Sequence, residues 1–374
     1  MLIKRHIELQ VRQALKDGLV TILYGARQVG KTTLAKQIMD SHPNSIYLNC
    51  DDPLVVLNLT NKSAIELKAY VGNTKFVVID EAQRIENIGI TLKLIHDTYP
   101  DIMLLVTGSS SLDLANKITE PLTGRSAEIH LFPFSIQEIS ASQTELQAHM
   151  NIMLVRGGYP GMWSLSAEKA YVQLDKLAKN YVFRDAFSPN TIYDQTIIND
   201  LLRLLAFQIG QEVNYTELGK KLSLSKDTVA RYIDLLEKAF IIFRRNQYRR
   251  NERAEVGRLR KVYFVDLGVR NALIDNFNPL QLRDDIGALW ENFCIVERLK
   301  FIQSKQRRVR SYYWRNYDQQ EIDIIEAESD EIRAFECKYN SNKSVKIPSG
   351  FTSKYPSSSF KIVTPQTFFK EILA

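Results

Sequence analysis

Residues 19–39 read LVTILYGARQVGKTTLAKQIM, and no other stretch limits so tightly what this chain can fold into. An apolar run with β-branched residues predicts a strand, a glycine-bounded loop follows, and the residues after it carry helical spacing. Gly25, Gly30, Lys31 and Thr32 stand at the spacing Gly-x-x-x-x-Gly-Lys-Thr, with Ala26, Arg27, Gln28 and Val29 between the glycines and Thr33 behind them. Backbone N–H groups converge on phosphate oxygens only where no Cβ obstructs them, and a helix N-terminus behind such a loop adds partial positive charge. The stretch is therefore expected to cradle a nucleoside triphosphate, with Lys31 reaching the β- and γ-phosphates and Thr32 ligating Mg2+.

Residues 75–85, KFVVIDEAQRI, are a short apolar strand ending in Asp80 and Glu81. That places both carboxylates at the C-terminal edge of a parallel sheet, where open α/β folds bind ligands. Asp80 is expected to hold Mg2+ through its water shell and Glu81 to orient and polarise the attacking water. Another strand, within IMLLVTGSSS at 102–111, ends in a polar cluster. Ser109 is the residue chosen there to sense the γ-phosphate; capping of a helix that begins near Leu112 asks for the same residue types and stays open beside it.

A chain of 374 residues is too long for one ordinary core, so two or three domains are expected. The composition, 45% hydrophobic and 25% charged, is that of a soluble globular protein. Cys50, Cys294 and Cys337 are scattered, without Cys-x-x-Cys spacing or a nearby histidine, which argues against a disulfide framework or a zinc site and fits a reducing cytoplasm. No signal peptide and no membrane span is read. The net charge is only +6, yet residues 244–261 alone carry eight basic residues against two acidic ones, a local net of +6.

The segments YGARQVGKTTL, VVIDEAQRI, VTGSSS, LTGRSAEIHLFPFSIQE and VRGGYPG, in that order, resemble the AAA+-type ATPases of bacteria and archaea that carry a separate C-terminal region. The resemblance implies an α/β P-loop NTPase core of three layers with a small helical lid, and ATP with Mg2+ as ligand. It also makes Arg125 a candidate for an arginine that stabilises γ-phosphate charge, within the chain or across a subunit boundary, against the plainer reading of a surface arginine paired to Glu128. Arg156, before GGYPG, is a comparable candidate on the lid. The expected division is an ATPase core at 1–140, lid and connecting helices at 141–210, a helix-turn-helix module at 211–270 and a last domain at 271–374.

Residues 214–250 predict a short helix at 216–221, a tight turn through SLS, a second helix from Lys226 to Lys238 capped by Ser225, and a strand. This is the pattern of a winged helix-turn-helix, whose wing would run from about Phe240 to Asp266 with Arg249, Arg250, Arg253, Arg258 and Arg260 near its tip. Such a wing suits DNA phosphates, and Lys226, Asp227, Thr228 or Arg231 would supply base contacts. A protein-contact or hinge role fits the same module.

The last third predicts an amphipathic helix at 287–302, the strands VRSYYW, QEIDII and IRAFECKY, a polar stretch, a strand SFKIVT and a terminal helix. That order resembles the restriction-endonuclease-like nucleases of the PD-(D/E)XK type, although the polar stretch stands where their middle helix would be. The residues that match are Asp323, Glu336 and Lys338, with Glu291 on the opening helix; Ile322 stands where the family carries a proline. The resemblance implies carboxylate ligands for Mg2+ from Asp323, Glu336 and Glu291, and a lysine that positions water or stabilises developing charge. The plain alternative is a salt bridge between Glu336 and Lys338. Two function classes follow: an ATPase that associates with DNA and cleaves it, or an ATP-dependent switch or scaffold for protein partners or further copies of itself.

Overall fold

The computed structural model describes residues 3–108, 121–140, 142–186, 194–249, 260–340 and 346–373. Ser109, Arg250, Arg253 and Arg258 lie outside them. The chain divides into two compact units, the first made of Met1–Phe134 with Arg184–Ser188 and Lys238–Phe240, the second of the remainder.

The first unit is built on strands β1 (Val20–Tyr24), β2 (Ser45–Asn49), β3 (Phe76–Asp80), β4 (Met103–Gly108) and β5 (Ser126–His130), all parallel, in the order β2-β3-β4-β1-β5. Strands β1 and β3 are buried along their whole length, so apolar runs replace the alternation of a half-exposed sheet. Ile22, Val77, Ile79 and Val106 share its core with Leu92 and Ile95 of the helix Ile88–Thr98. The chain leaves β1 for the far edge of the sheet and returns through β3 and β4, so the loop after β1 opens beside the C-terminal ends of β4 and, next to it, β3.

The second unit carries two sheets. Strands β6 (Glu212–Val213), β7 (Ile242–Arg245) and β8 (Arg260–Phe264) form an antiparallel sheet in the order β6-β8-β7. The helices Tyr215–Leu222 and Lys226–Lys238 lie between β6 and β7 in the chain, with Ser225 Oγ accepting the N–H of Thr228 at 3.0 Å. Strands β9 (Arg310–Arg315), β10 (Glu321–Glu328) and β11 (Glu331–Cys337) form an antiparallel meander, and β12 (Ser359–Val363) joins β11 in parallel. The helices between 143 and 183, expected as a lid, fall within this unit. Asn271 Nδ2 holds the carbonyls of Leu154 and Val155 at 3.0 and 2.9 Å, and Asp266 accepts the N–H of Gly158 at 2.7 Å.

Two elements differ from expectation. The helix Ile286–Ser304 is not one-sided: Leu289, Trp290, Cys294, Glu297, Arg298 and Lys300 are all buried. Packing against β11 and other helices leaves only its first turn and a few half-buried positions such as Glu291 and Leu299 near solvent, and its buried charges are paired internally, Arg298 with Glu326 at 2.7 Å and Lys300 with Glu297 at 2.8 Å. The polar stretch after β11 does hold a helix, Ser349–Lys354, seeded by Phe351 against Trp314 and Tyr355. Six residues with one buried aromatic leave no helical period to read. Among the described residues no helix is long and apolar enough to cross a membrane.

Candidate functional site

Strand β1 ends at Tyr24 and the helix Lys31–Met39 begins seven residues on, so its first-turn amides face the intervening loop. A Cβ on Gly25 would stand 2.3 Å from the carbonyl oxygen of Leu131, and Gly30 adopts φ +98°, a left-handed backbone that side chains resist. Lys31 is buried, its Nζ donating to the carbonyls of Gly25 and Ala26 at 2.7 and 2.8 Å. The ammonium thus rests on the loop that Ala26, Arg27, Gln28 and Val29 complete, with Thr33 in the helix behind.

Asp80 is the hub of this edge. Its Oδ2 accepts from Thr32 Oγ1 at 2.8 Å and from the Tyr47 hydroxyl at 2.5 Å, while its Oδ1 accepts from Thr107 Oγ1. Burial pushes the Tyr47 phenol upward, and its hydrogen bond to Asp80 adds to that, so it stays a donor. Glu81 follows in a left-handed conformation, φ +56°, which turns it out of the strand; its N–H donates to Thr107 Oγ1 at 3.2 Å and Gln83 donates to its carboxylate at 2.5 Å. Thr107 is thus the polar end of β4 that touches the Asp80 carboxylate and the Glu81 backbone, whereas Ser109 is outside the described residues.

Arg125 stands elsewhere. Its carbonyl accepts the N–H of Val20, at the start of β1, so it lies at the sheet edge opposite the loop, a strand length of roughly 16 Å away. Its guanidinium pairs with Asp97 at 2.8 Å rather than with Glu128, and cannot reach this chain's own phosphate loop. Arg156 lies over the ring of Tyr171, 5.8 Å from its centroid. An arginine the sequence gave no reason to choose, Arg5, does meet the loop: buried, it donates to Val29 O at 2.8 Å and to Phe132 O at 2.5 Å.

In the second unit, a carboxylate oxygen from each of Glu291, Glu321 and Asp323 lies within 4.8 Å of the others. An extra residue on β10 between the pairs Ile322–Trp314 and Ile325–Tyr312 breaks the alternation beside Asp323. Ile322 and Ile325 can therefore both face the cluster of Trp314 and Phe351. Asp323 accepts the N–H of Cys337 at 2.8 Å, tying it to β11. Burial, with the charges of Glu291 and Glu336, holds its carboxyl well above the usual range. Lys338 Nζ donates to Glu336 at 2.7 Å, and that bond outweighs burial to keep the ammonium charged.

One cation here was missed. Lys261, from β8, is 2% exposed, 3.1 Å from Glu291 Oε1 and also paired with Glu321, while the Tyr263 hydroxyl donates to Glu291 at 2.6 Å. The available signal was a lysine leading directly into the apolar run Val262–Tyr263–Phe264, although Arg260 beside it invites the reading of a basic wing. Other members of that segment are internal too. Arg244 is fixed by Asp234 at 2.6 Å and by Glu237, and buried Arg245 donates to Ser311. Arg244 and Arg245 therefore face inward, while Arg249 and Arg260, two of the arginines expected near the wing tip, are partly exposed.

Residues 17–140 match an AAA domain, and residues 147–280 and 286–369 match two domains of unknown function, DUF8612 and DUF4143. An uncharacterized protein of Mycobacterium tuberculosis is 27% identical over 346 residues, covering 91% of this chain and 75% of that protein. One of Haemophilus influenzae is 25% identical over 370 residues, covering 91% and 89%. A Walker-type ATPase of Pyrococcus abyssi aligns in structure with a TM-score of 0.48 and 16% identity, covering 73% of this chain and 96% of that one. The matched segment at 17–140 spans the phosphate loop, Asp80 and Glu81, and supports ATP binding and hydrolysis by an AAA-type P-loop domain.

Proposed function

We propose that the chain is a Mg2+-dependent ATPase whose second unit associates with DNA and cleaves it. The observation that carries this reading is the convergence of Glu291, Glu321, Asp323 and the Glu336–Lys338 pair around one buried spot, in a chain that also holds a phosphate loop.

In the first unit, Lys31 would leave the loop carbonyls for the β- and γ-phosphates, Thr32 would ligate Mg2+, and Asp80 would hold the ion through its water shell. The ion, when bound, neutralises phosphate charge. Glu81, kept in orientation by Gln83, orients the attacking water and accepts its proton. In the second unit, hard carboxylate oxygens suit Mg2+ or Mn2+, which Asp323, Glu336 and Glu291 would hold; the bound ion supplies Lewis acidity. Lys338 positions water or stabilises the charge that develops on the phosphate. DNA is the proposed partner of the helix-turn-helix module through Arg249, Arg260 and the second helix.

A second reading has an observation of its own. Lys261 already pairs with two of the clustered carboxylates, which favours a nuclease-like domain retained for its surface in an ATP-dependent switch that binds protein partners. The deciding assay is cleavage of plasmid and single-stranded DNA with Mg2+ or Mn2+, by wild type beside Lys338→Ala, with and without ATP. Metal-dependent cleavage that disappears in the variant is expected. Equal behaviour of the two proteins would overturn the catalytic reading of the lysine.

A further inference from the structure

Within the second unit, a cleft of about 770 Å³ opens between the helix Lys226–Lys238 and the β9–β10 turn. Lys226, Ala230 and Asp234, spaced by four and therefore on one helix face, line one wall; Arg315 and Tyr317 line the other. The helix expected to read a DNA major groove thus turns one face into a confined space beside a second sheet.

The wall chemistry still favours a polyanion. Two of its arginines are neutralised in place, Arg244 by Asp234 at 2.6 Å and Arg315 by Glu212 at 3.3 Å. Lys226, Arg249 and Arg260 are then in excess, and no further acidic residue lines the cleft among the described residues. The Tyr317 ring, 91% exposed, stands at the rim with a whole face available for stacking. Cations along a groove beside an exposed aromatic ring are how proteins hold a single strand, since phosphates and unpaired bases are presented together only there. Arg315 also pairs with Glu321 at 3.7 Å, so the cleft borders the carboxylate cluster.

We propose that this cleft binds single-stranded nucleic acid, with phosphates on Lys226, Arg249 and Arg260 and a base stacked on Tyr317; the inference rests on the nucleic-acid reading above. The test is fluorescence anisotropy of the full chain with a labelled single-stranded DNA, an RNA of the same sequence, and the matching DNA duplex. Wild type is compared with Tyr317→Ala, Lys226→Ala and Lys220→Ala, the last being exposed on the helix Tyr215–Leu222 outside the cleft. Unchanged thermal melting shows each variant folded. At least one single strand is expected to bind tenfold or more tighter than duplex. Tyr317→Ala should weaken that binding roughly tenfold, Lys226→Ala should weaken it and flatten its salt dependence by about one phosphate, and Lys220→Ala should leave it unchanged. Duplex bound as tightly as single strand, or single-strand binding unmoved by Tyr317→Ala and Lys226→Ala, would overturn the cleft assignment while leaving DNA association intact. Absence of binding to all three probes at low salt would overturn both.

Discussion

The two carboxylate centres of this protein are built in opposite ways. The first is local: one loop and the ends of neighbouring parallel strands bring Lys31, Thr32, Asp80 and Thr107 together, and each of these four side chains has a partner at hydrogen-bond distance. The second is assembled from far apart in the chain, with Glu291 on a helix, Glu321 and Asp323 on β10, Glu336 and Lys338 at the end of β11, and Lys261 on a strand some sixty residues before β10. In the first, the backbone does most of the positioning, so substitutions at single side chains should remove function and spare the fold. In the second, ion pairs and burial do the positioning, and chemistry and stability are entangled.

The sharpest way to break this contrast is Lys31→Ala. Nucleotide binding, followed by fluorescence of a labelled ATP, should be abolished while the melting of the second unit stays where it was. Next comes Glu81→Gln, which should keep ATP binding and lower the hydrolysis rate by at least about a hundredfold, the range for loss of a general base. Normal hydrolysis by that variant would mean that another group orients the water.

In the second unit the large effect should be on stability. Arg298 and Glu326 form a buried two-pronged pair at 2.7 and 2.9 Å, and Arg298 also holds the carbonyl of Ile372 at 2.7 Å. Removing Arg298 leaves buried Glu326 with only Arg333, at 3.5 Å, so Arg298→Met should cost about 3 kcal/mol in chemical denaturation, the low end for a broken buried pair. Replacing both residues by methionine should recover most of it. A loss under about 1 kcal/mol for the single change would show that the helix Ile286–Ser304 does not depend on its internal pairs.

The smallest effect depends on pH. Asp285 is partly buried, which alone would raise its pKa, but hydrogen bonds from Arg283 and Arg270 prevail and hold it below the ordinary Asp value. A depressed folded pKa stabilises the fold above the unfolded value, near pH 4, and that contribution fades as pH falls through the folded value. Asp285→Asn should therefore cost on the order of 1 kcal/mol at pH 7, with the gap to wild type closing below about pH 4. A gap that widened on acidification would contradict the pairing.

How far each centre could be read in the sequence follows from the same contrast. The phosphate loop, Asp80 and Glu81 were legible because backbone geometry demands glycines and a lysine at fixed spacing. Thr107 was passed over for Ser109, since a run of polar residues does not say which one reaches a neighbouring strand. Arg125 was legible as an arginine near the core but not as a partner of Asp97, because strand pairing decides which edge it occupies. The strands β9 to β12 were legible as short runs rich in β-branched and aromatic residues, and Glu336 and Lys338 by their spacing of two. Lys261 was not, because its charge is explained by Glu291 and Glu321, which lie 30 and 60 positions further along. Basic residues counted along the chain likewise hid that Arg244 and Arg245 face inward.

The second centre carries the central claim, and its charge balance states the question. Glu291, Glu321, Asp323 and Glu336 bring four negative charges when ionised, against three positive ones from Lys261, Lys338 and Arg315, so a divalent cation would compete with pairs already made there. The most direct measurement is the amount of Mn2+ bound per chain without nucleotide, counted by electron paramagnetic resonance in wild type and in Asp323→Asn. One tightly held ion in wild type, lost in the variant, is the predicted result. No tight Mn2+ in wild type, or the same amount in both proteins, would contradict a cation-dependent centre and leave Lys261 as its permanent counter-ion.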